Sequence, residues 1–119
     1  MAKDDYDVMA YRILVYLYAI FKCKTVFNEE TFKKVSRYYD VSEVYFERVL
    51  QMMQREGLIE NIIYVNNIDG IPERVTPFEK ISITANGIHY LLDNDKMKKI
   101  KNERLGTVEF ITSFISLIG

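Results

Sequence analysis

Apolar residues recur along this chain at helical spacing in several stretches, and β-forming residues cluster in two others. The first stretch predicts a helix from Tyr6 to Lys22. Between Ile13 and Phe21 this helix is apolar on nearly every side. A helix of this kind is covered on more than one side, so other elements of the fold are expected to pack around it.

Three later helices are predicted to begin with one local pattern, a capping residue placed between two apolar residues. The capping residues are Asn28, Ser42 and Thr84. The apolar pairs around them, each able to form a hydrophobic staple, are Phe27 and Phe32, Val41 and Phe46, and Ile83 and Ile88. The pattern indicates where each helix starts and how the chain enters it.

The second and third helices are predicted at Glu29 to Tyr39 and at Glu43 to Glu56. Two helices joined by so short a turn form a helix-turn-helix. Gly57 follows the third helix, where glycine accepts the left-handed conformation that ends a helix.

A wing is predicted after the third helix. One strand is expected from Leu58 to Val65 and a short second strand from Glu79 to Ile83. Between them lie turn-forming residues at 66–70 and a loop that contains Pro72 and Pro77.

The predicted fold is mainly α with a small β wing, an α+β winged helix-turn-helix with an added C-terminal helix. A fourth helix is expected from Thr84 to Asp93 and the added helix from Lys96 to Ile118. The 119 residues suit one domain, since 49% of them are hydrophobic. Within residues 1–119, the helix-turn-helix takes about 28–56, the wing about 58–83 and the C-terminal helices about 84–118.

Two segments carry a family resemblance, GLIENIIYV from residue 57 and ISITANGIHYLLDNDKMKKIK from residue 81. They resemble the YjcQ-like winged-helix proteins of Gram-positive bacteria and their phages. The matching residues are Gly57, Leu58, Ile59, Thr84, Gly87, Asn94 and the run Lys96–Lys99. The resemblance implies a winged-helix fold and a phage or prophage setting, and it implies no ligand.

Charge and cysteine content indicate which cellular compartment and which kinds of binding partner are expected. The 16 basic and 17 acidic residues nearly cancel, whereas a strongly DNA-binding domain is usually basic. The single cysteine, Cys23, excludes an intramolecular disulfide and favours a reducing compartment. The longest apolar run, Ile13 to Phe21, is far shorter than the about 20 residues of a membrane span. A cytoplasmic protein without a membrane segment is expected.

The sequence does not suggest an enzyme. His89 and Cys23 are the only histidine and cysteine, too few for a zinc site built on such ligands. A dyad of these two is formally possible, but His89 is expected to be structural or exposed, and Cys23 is expected to be a core or edge thiol. No cofactor motif, metal site or small-molecule site is predicted.

The third helix carries the chemistry that could read DNA. Its outward stripe is Val44, Arg48, Gln51 and Arg55, opposite an apolar core face. In a helix-turn-helix this outward face enters the major groove. Arginine can bind guanine, glutamine can bind adenine and valine can contact the methyl group of thymine.

The charges around this stripe do not by themselves favour DNA. Residues 42–56 hold two arginines and three glutamates, and residues 66–80 are also net acidic. Phosphate contacts would have to come from other basic residues, and the candidates are Lys33, Lys34, Arg74, Lys96, Lys98, Lys99 and Lys101. The last four belong to the basic stretch 96–104, and the sequence does not place that stretch beside the third helix.

Two hypotheses therefore stay open. One is a DNA-binding protein, a transcriptional regulator of phage or prophage type, with duplex DNA as its partner. The other is a non-enzymatic module that uses the winged helix as a scaffold for protein–protein contacts without binding DNA. Either could be a homodimer through the first and C-terminal helices, because both have more apolar surface than a three-helix core needs.

Overall fold

A computed structural model describes residues 5–103, with the side chains of residues 6–102. The α-helices are α1 Asp5–Phe21, α2 Glu29–Val35, α3 Glu43–Arg55, α4 Ala85–Asp93 and α5 Asp95–Glu103. The strands are β1 Ile59–Glu60, β2 Tyr64–Asn66, β3 Pro72–Arg74 and β4 Ser82–Ile83. Short 3₁₀ helices lie at Tyr38–Asp40 and Phe78–Lys80. The predicted mainly helical α+β fold with a small wing is confirmed.

Helix α1 runs through the centre of the fold. Every side chain from Val8 to Leu17 is buried. Five elements pack around it, namely α2, α3, β4, α4 and α5. The cover that its apolar sequence requires therefore comes from the chain itself. The predicted part of the C-terminal helix beyond residue 103 lies outside the described residues.

The three predicted helix starts are confirmed. The side chains of Asn28, Ser42 and Thr84 accept hydrogen bonds from backbone N–H groups three residues later, at 2.9, 3.1 and 2.9 Å. At the first start, the rings of Phe27 and Phe32 lie 5.5 Å apart, as a hydrophobic staple requires.

Helix α2 ends at Val35, so the prediction that it continues to Tyr39 is wrong. The backbone turns at Arg37, whose φ of 67° is left-handed. The buried side chain of Arg12 in α1 donates from Nε to the carbonyl of Val35 at 2.6 Å. This hydrogen bond gives a partner to a carbonyl at the end of α2 that has none within the helix. The turn carries Tyr38 onto the ring of Phe46 at 5.0 Å. A contact from a distant helix thus ends α2 early.

The predicted strand from Leu58 to Val65 is two strands, and the break is at Asn61. Asn61 has a φ of 76°, a conformation that asparagine tolerates better than most residues. The side-chain amide of Gln54 then takes the place of a neighbouring strand for Ile62. Its Nε2 donates to the carbonyl of Ile62 at 3.0 Å, and its Oε1 accepts from the N–H of Ile62 at 2.8 Å.

The wing region contains two separate two-stranded antiparallel sheets rather than one hairpin. Strand β1 pairs with β4, with Ile59 opposite Ile83. The second predicted strand is therefore only Ser82–Ile83. Strand β2 pairs with β3, so the predicted loop around Pro72 is in part a strand. Proline is tolerated there as the first residue of a short strand.

Gly87 joins α4 closely to the chain that leaves α3. A side chain at this position would overlap the carbonyl oxygen of Leu58 and lie 2.9 Å from Cγ1 of Ile83. Nearby, the hydroxyl of Thr84 donates to the carbonyl of Gly57 at 2.5 Å. Helix α4 can therefore lie directly against the first residues of the wing region.

Candidate nucleic-acid interface

Helix α3 is fixed from its apolar side. Four residues of that face are buried in the core, Phe46, Val49, Leu50 and Met53. The opposite stripe stays accessible, with Val44, Arg48 and Arg55 exposed and Gln51 partly exposed. The predicted division of this helix into a core face and an outward face is confirmed.

An open groove of about 580 Å³ runs between α3 and the hairpin of β2 and β3. Its helix side is formed by Glu43, Val44, Glu47, Arg48 and Gln51. Its wing side is formed by Asn67 and residues 70–74. A second hollow continues it past Gln51 and Pro72 to Arg55. Three residues of the predicted stripe therefore line the groove, and Arg55 lines the hollow beside it.

Arg74 crosses from the wing to α3 and is held there by three contacts. Its Nε lies 3.1 and 3.0 Å from the two carboxylate oxygens of Glu47. Its Nη1 donates to the carbonyl of Thr76, and its guanidinium carbon lies 3.9 Å from the ring centroid of Phe78. In this arrangement Arg74 is neutralised by α3, so it joins the wing to the helix rather than facing a phosphate.

The groove is acidic once this pair is accounted for. Glu43 and Glu73 remain on its walls against Arg48. The carboxylate of Glu43 accepts a hydrogen bond of 3.3 Å from the hydroxyl of Tyr38. Arg48 has no ion-pair partner among the described residues. Phosphate attraction must therefore come from basic side chains outside the groove.

The lysines of α2 differ in availability. The ammonium of Lys33 lies 3.2 Å from a carboxylate oxygen of Glu29, and this hydrogen bond is the main reason that the pKa of Lys33 is raised. The same ammonium lies 5.0 Å from the ring centroid of Tyr38. Lys34 is exposed and takes part in neither contact. Lys34 is the more available phosphate ligand of the two.

The basic helix α5 does not line the groove in the described part of the chain. It packs on α1 and α4, with Met97 and Ile100 buried, and α1 in turn packs on α3. The exposed lysines are Lys96, Lys98, Lys99 and Lys101. Lys96 lies 3.6 Å from Asp7 of α1, and Lys98 and Lys101 border a separate hollow of about 240 Å³. None of the described α5 residues therefore lines the groove beside α3, and Arg104 lies outside the described residues.

Two features of the groove were missed from the sequence. Pro72 lies on its wall because β3 pairs with β2, and a proline at this place had indicated a loop. Tyr64 borders the second hollow, and its buried hydroxyl has no hydrogen-bond partner within the described part. Burial raises the pKa of Tyr64 to about 12. The alternation of residues from 62 to 66 was the only local signal for its inward position.

The only histidine and the only cysteine of the chain, which could have formed a catalytic dyad, lie on the surface. His89 on α4 and Cys23 after α1 are both exposed. Among residues 5–103, no three histidine, cysteine or acidic side chains are grouped as a metal site would require. In the same part of the chain, no helix has the length and apolarity to span a membrane.

Comparison with family models identifies a family that covers most of the chain. The model of the family described as YjcQ protein matches residues 11–104. No curated protein and no solved structure matches the chain significantly. The matched range contains the helix-turn-helix, the wing and both lysine-bearing helices.

Proposed function

This chain belongs to the YjcQ family, and we propose that it binds duplex DNA through α3. The outward stripe of α3 borders an open groove, and its arginines make no ion pair among the described residues. The stripe is the observation that carries the proposal. Arg48 has no ion pair among the described residues. Gln51 lines both the groove that contains Arg48 and the hollow that contains Arg55. These side-chain types can hydrogen-bond to base edges in the major groove.

The affinity should be weak to moderate and strongly dependent on salt. Glu43 and Glu73 repel phosphates from the walls of the groove, while Lys34 lies exposed on the preceding helix. Non-specific affinity comes mainly from neutralised phosphates, so few such contacts mean a low affinity. The lysines of α5 would add general attraction to DNA rather than contacts in the groove. A regulator of transcription in a phage or prophage setting, without enzymatic activity or cofactor, is the role proposed for such a reader.

Fluorescence anisotropy on mixed genomic duplex, repeated across a salt series, tests this function. Arg48→Ala and Arg55→Ala should each weaken binding, and Gln51→Ala should change the preference among duplex sequences. Lys24→Ala is the matched control, because Lys24 is exposed after α1 and does not line the groove. Absence of binding by the folded protein even near about 50 mM salt would exclude the proposal.

The acidic balance of the groove favours a second candidate, a protein-interaction module that does not bind DNA. A groove with excess carboxylate attracts cationic protein segments as readily as it repels phosphates. The same titration separates the two, because absence of DNA binding at low salt by the folded protein contradicts DNA binding and favours this alternative.

A homodimer through α1 and the C-terminal helix stays a prediction. Burial of Val8 to Leu17 within the chain means that the central part of α1 has little apolar surface left to offer. Light scattering at high concentration measures the outcome directly. A species of 14.1 kDa would be the monomer and would contradict the dimer.

A further inference from the structure

The hairpin of β2 and β3 has an apolar outer face. Four β-branched residues on it are exposed, Ile63 at 62%, Val65 at 43%, Ile71 at 59% and Val75 at 52%. The side chain of Ile68 at the tip is fully exposed as well. Solvated sheet faces normally carry polar residues, and contiguous exposed apolar surface marks an interaction site.

Strand pairing gathers these residues on one side. Val65 lies opposite Glu73, and a 2.9 Å hydrogen bond from the N–H of Val75 to the carbonyl of Ile63 places those two residues opposite each other. At the turn end, the N–H of Asn67 donates to the carbonyl of Ile71 at 3.4 Å. Because side chains alternate along a strand, these six residues share one face.

The inner face prevents the hairpin from turning this surface inward. Arg74 is bound to Glu47 of α3, and the buried hydroxyl of Thr76 accepts from the N–H of Ile63 at 2.7 Å. Tyr64 lies opposite Arg74 and has its hydroxyl buried. The outer face is therefore held toward solvent by contacts made on the other side of the same strands.

The charge of Glu73 determines which kind of partner can bind this face. Glu73 is its only charged residue in the hairpin as described, and it lies at the middle pair of the ladder. A phosphate backbone would be repelled by Glu73 and would find no cation on this face. A symmetric second copy would place Glu73 close to its own equivalent, and two like charges in a desolvated contact cost free energy.

We propose that the outer wing face, defined as Ile63, Val65, Ile71, Glu73 and Val75, docks a segment of another protein in which aliphatic side chains flank a lysine or arginine. The aliphatic groups cover the β-branched residues, and the cation pairs with Glu73. Ile71 and Glu73 also border the groove beside α3, but none of the four stripe residues belongs to this face, so the proposal does not require that the stripe binds DNA.

Selection of short random peptides on the immobilised full chain tests the proposal. The enriched peptides should carry lysine or arginine between aliphatic residues. In solution they should shift the methyl NMR signals of Ile63, Val65, Ile71 and Val75. Peptides enriched without a cation, no enrichment at all, or shifts confined to α3 would overturn the proposal.

Two variants and one control make the test specific. Glu73→Lys should weaken the selected peptides by roughly two- to fivefold, the range of an exposed ion pair, and should restore binding when the peptide cation is replaced by glutamate. Val65→Ser should weaken them by roughly tenfold through lost apolar contact. Glu79→Lys makes the same charge change on an exposed residue outside this face and should leave binding unchanged. All three residues are exposed, so thermal midpoints near that of the wild type verify folding. Equal peptide binding by wild type and Glu73→Lys, or a stable dimer that Val65→Ser dissociates, contradicts the assigned partner.

Discussion

The contact between Arg74 and Glu47 should stabilise the fold by fastening the wing to α3. The two side chains are only 17% and 28% exposed, so their attraction is less screened than that of a surface pair. Exposed pairs contribute at most about 1 kcal/mol, and breaking a buried pair costs about 3–5 kcal/mol. A coupling of about 1–2 kcal/mol is expected for this intermediate case.

Arg74 has further contacts that its replacement would remove. The cation–π contact with Phe78 adds about 0.5–1 kcal/mol, and the hydrogen bond to the carbonyl of Thr76 is charge-assisted. Arg74→Ala should therefore lower the free energy of unfolding by about 2–3 kcal/mol. Arg74→Lys should lose about 1 kcal/mol, because lysine keeps the charge but not the planar fork.

Urea unfolding of wild type, Glu47→Gln, Arg74→Ala and the double variant forms a double-mutant cycle that measures the coupling, because each single variant removes the ion pair. Arg55→Lys is the control, since Arg55 is exposed and makes no ion pair among the described residues. The reasoning is refuted if the coupling is within about 0.3 kcal/mol of zero. Arg74 would then be available to a phosphate, and its replacement would weaken DNA binding.

Three further predictions concern stability. Gly87→Ala should destabilise by about 1–3 kcal/mol in urea unfolding, since the added methyl meets backbone at Leu58, whereas Asn86→Ala in the same turn should be tolerated. Asn61→Ala should cost about 1 kcal/mol at its φ of 76°, and Asn61→Gly should not; equal stability of the two variants would show that the strand break is not left-handed in solution. Burial raises the pKa of Tyr11 to about 12 from 10.0 in the unfolded chain, so the neutral phenol contributes stability below about pH 10 that is lost as pH rises through 12. Guanidinium unfolding of wild type and Tyr11→Phe between about pH 9 and 12 checks this, and parallel losses in both proteins would contradict it.

Some features of this fold depend only on interactions between residues that are close together in the sequence. A capping side chain and the N–H that it satisfies are three positions apart, so Asn28, Ser42 and Thr84 could be identified as helix starts by inspection. The spacing of apolar residues likewise separates the core face of α3 from its outward stripe. These interactions depend on local geometry that varies little between folds.

Other features depend on residues far apart in the chain. The end of α2 is decided by Arg12, 23 residues before Val35, and the break between β1 and β2 is bridged by Gln54 of α3. No periodic pattern contains such contacts, because their partners come together only when the elements pack. The predicted element types were therefore more accurate than the predicted boundaries.

The sequence by itself determined the helix starts, the winged-helix order and the residues of the α3 stripe, because these follow from short-range hydrogen bonding and periodic burial. The tertiary structure decided which charges remain available. It paired Arg74 with Glu47 and packed the basic helix α5 on α1 and α4, with none of the described α5 residues on the groove lining. A charge acts through its spatial neighbours, and sequence distance does not measure those neighbours.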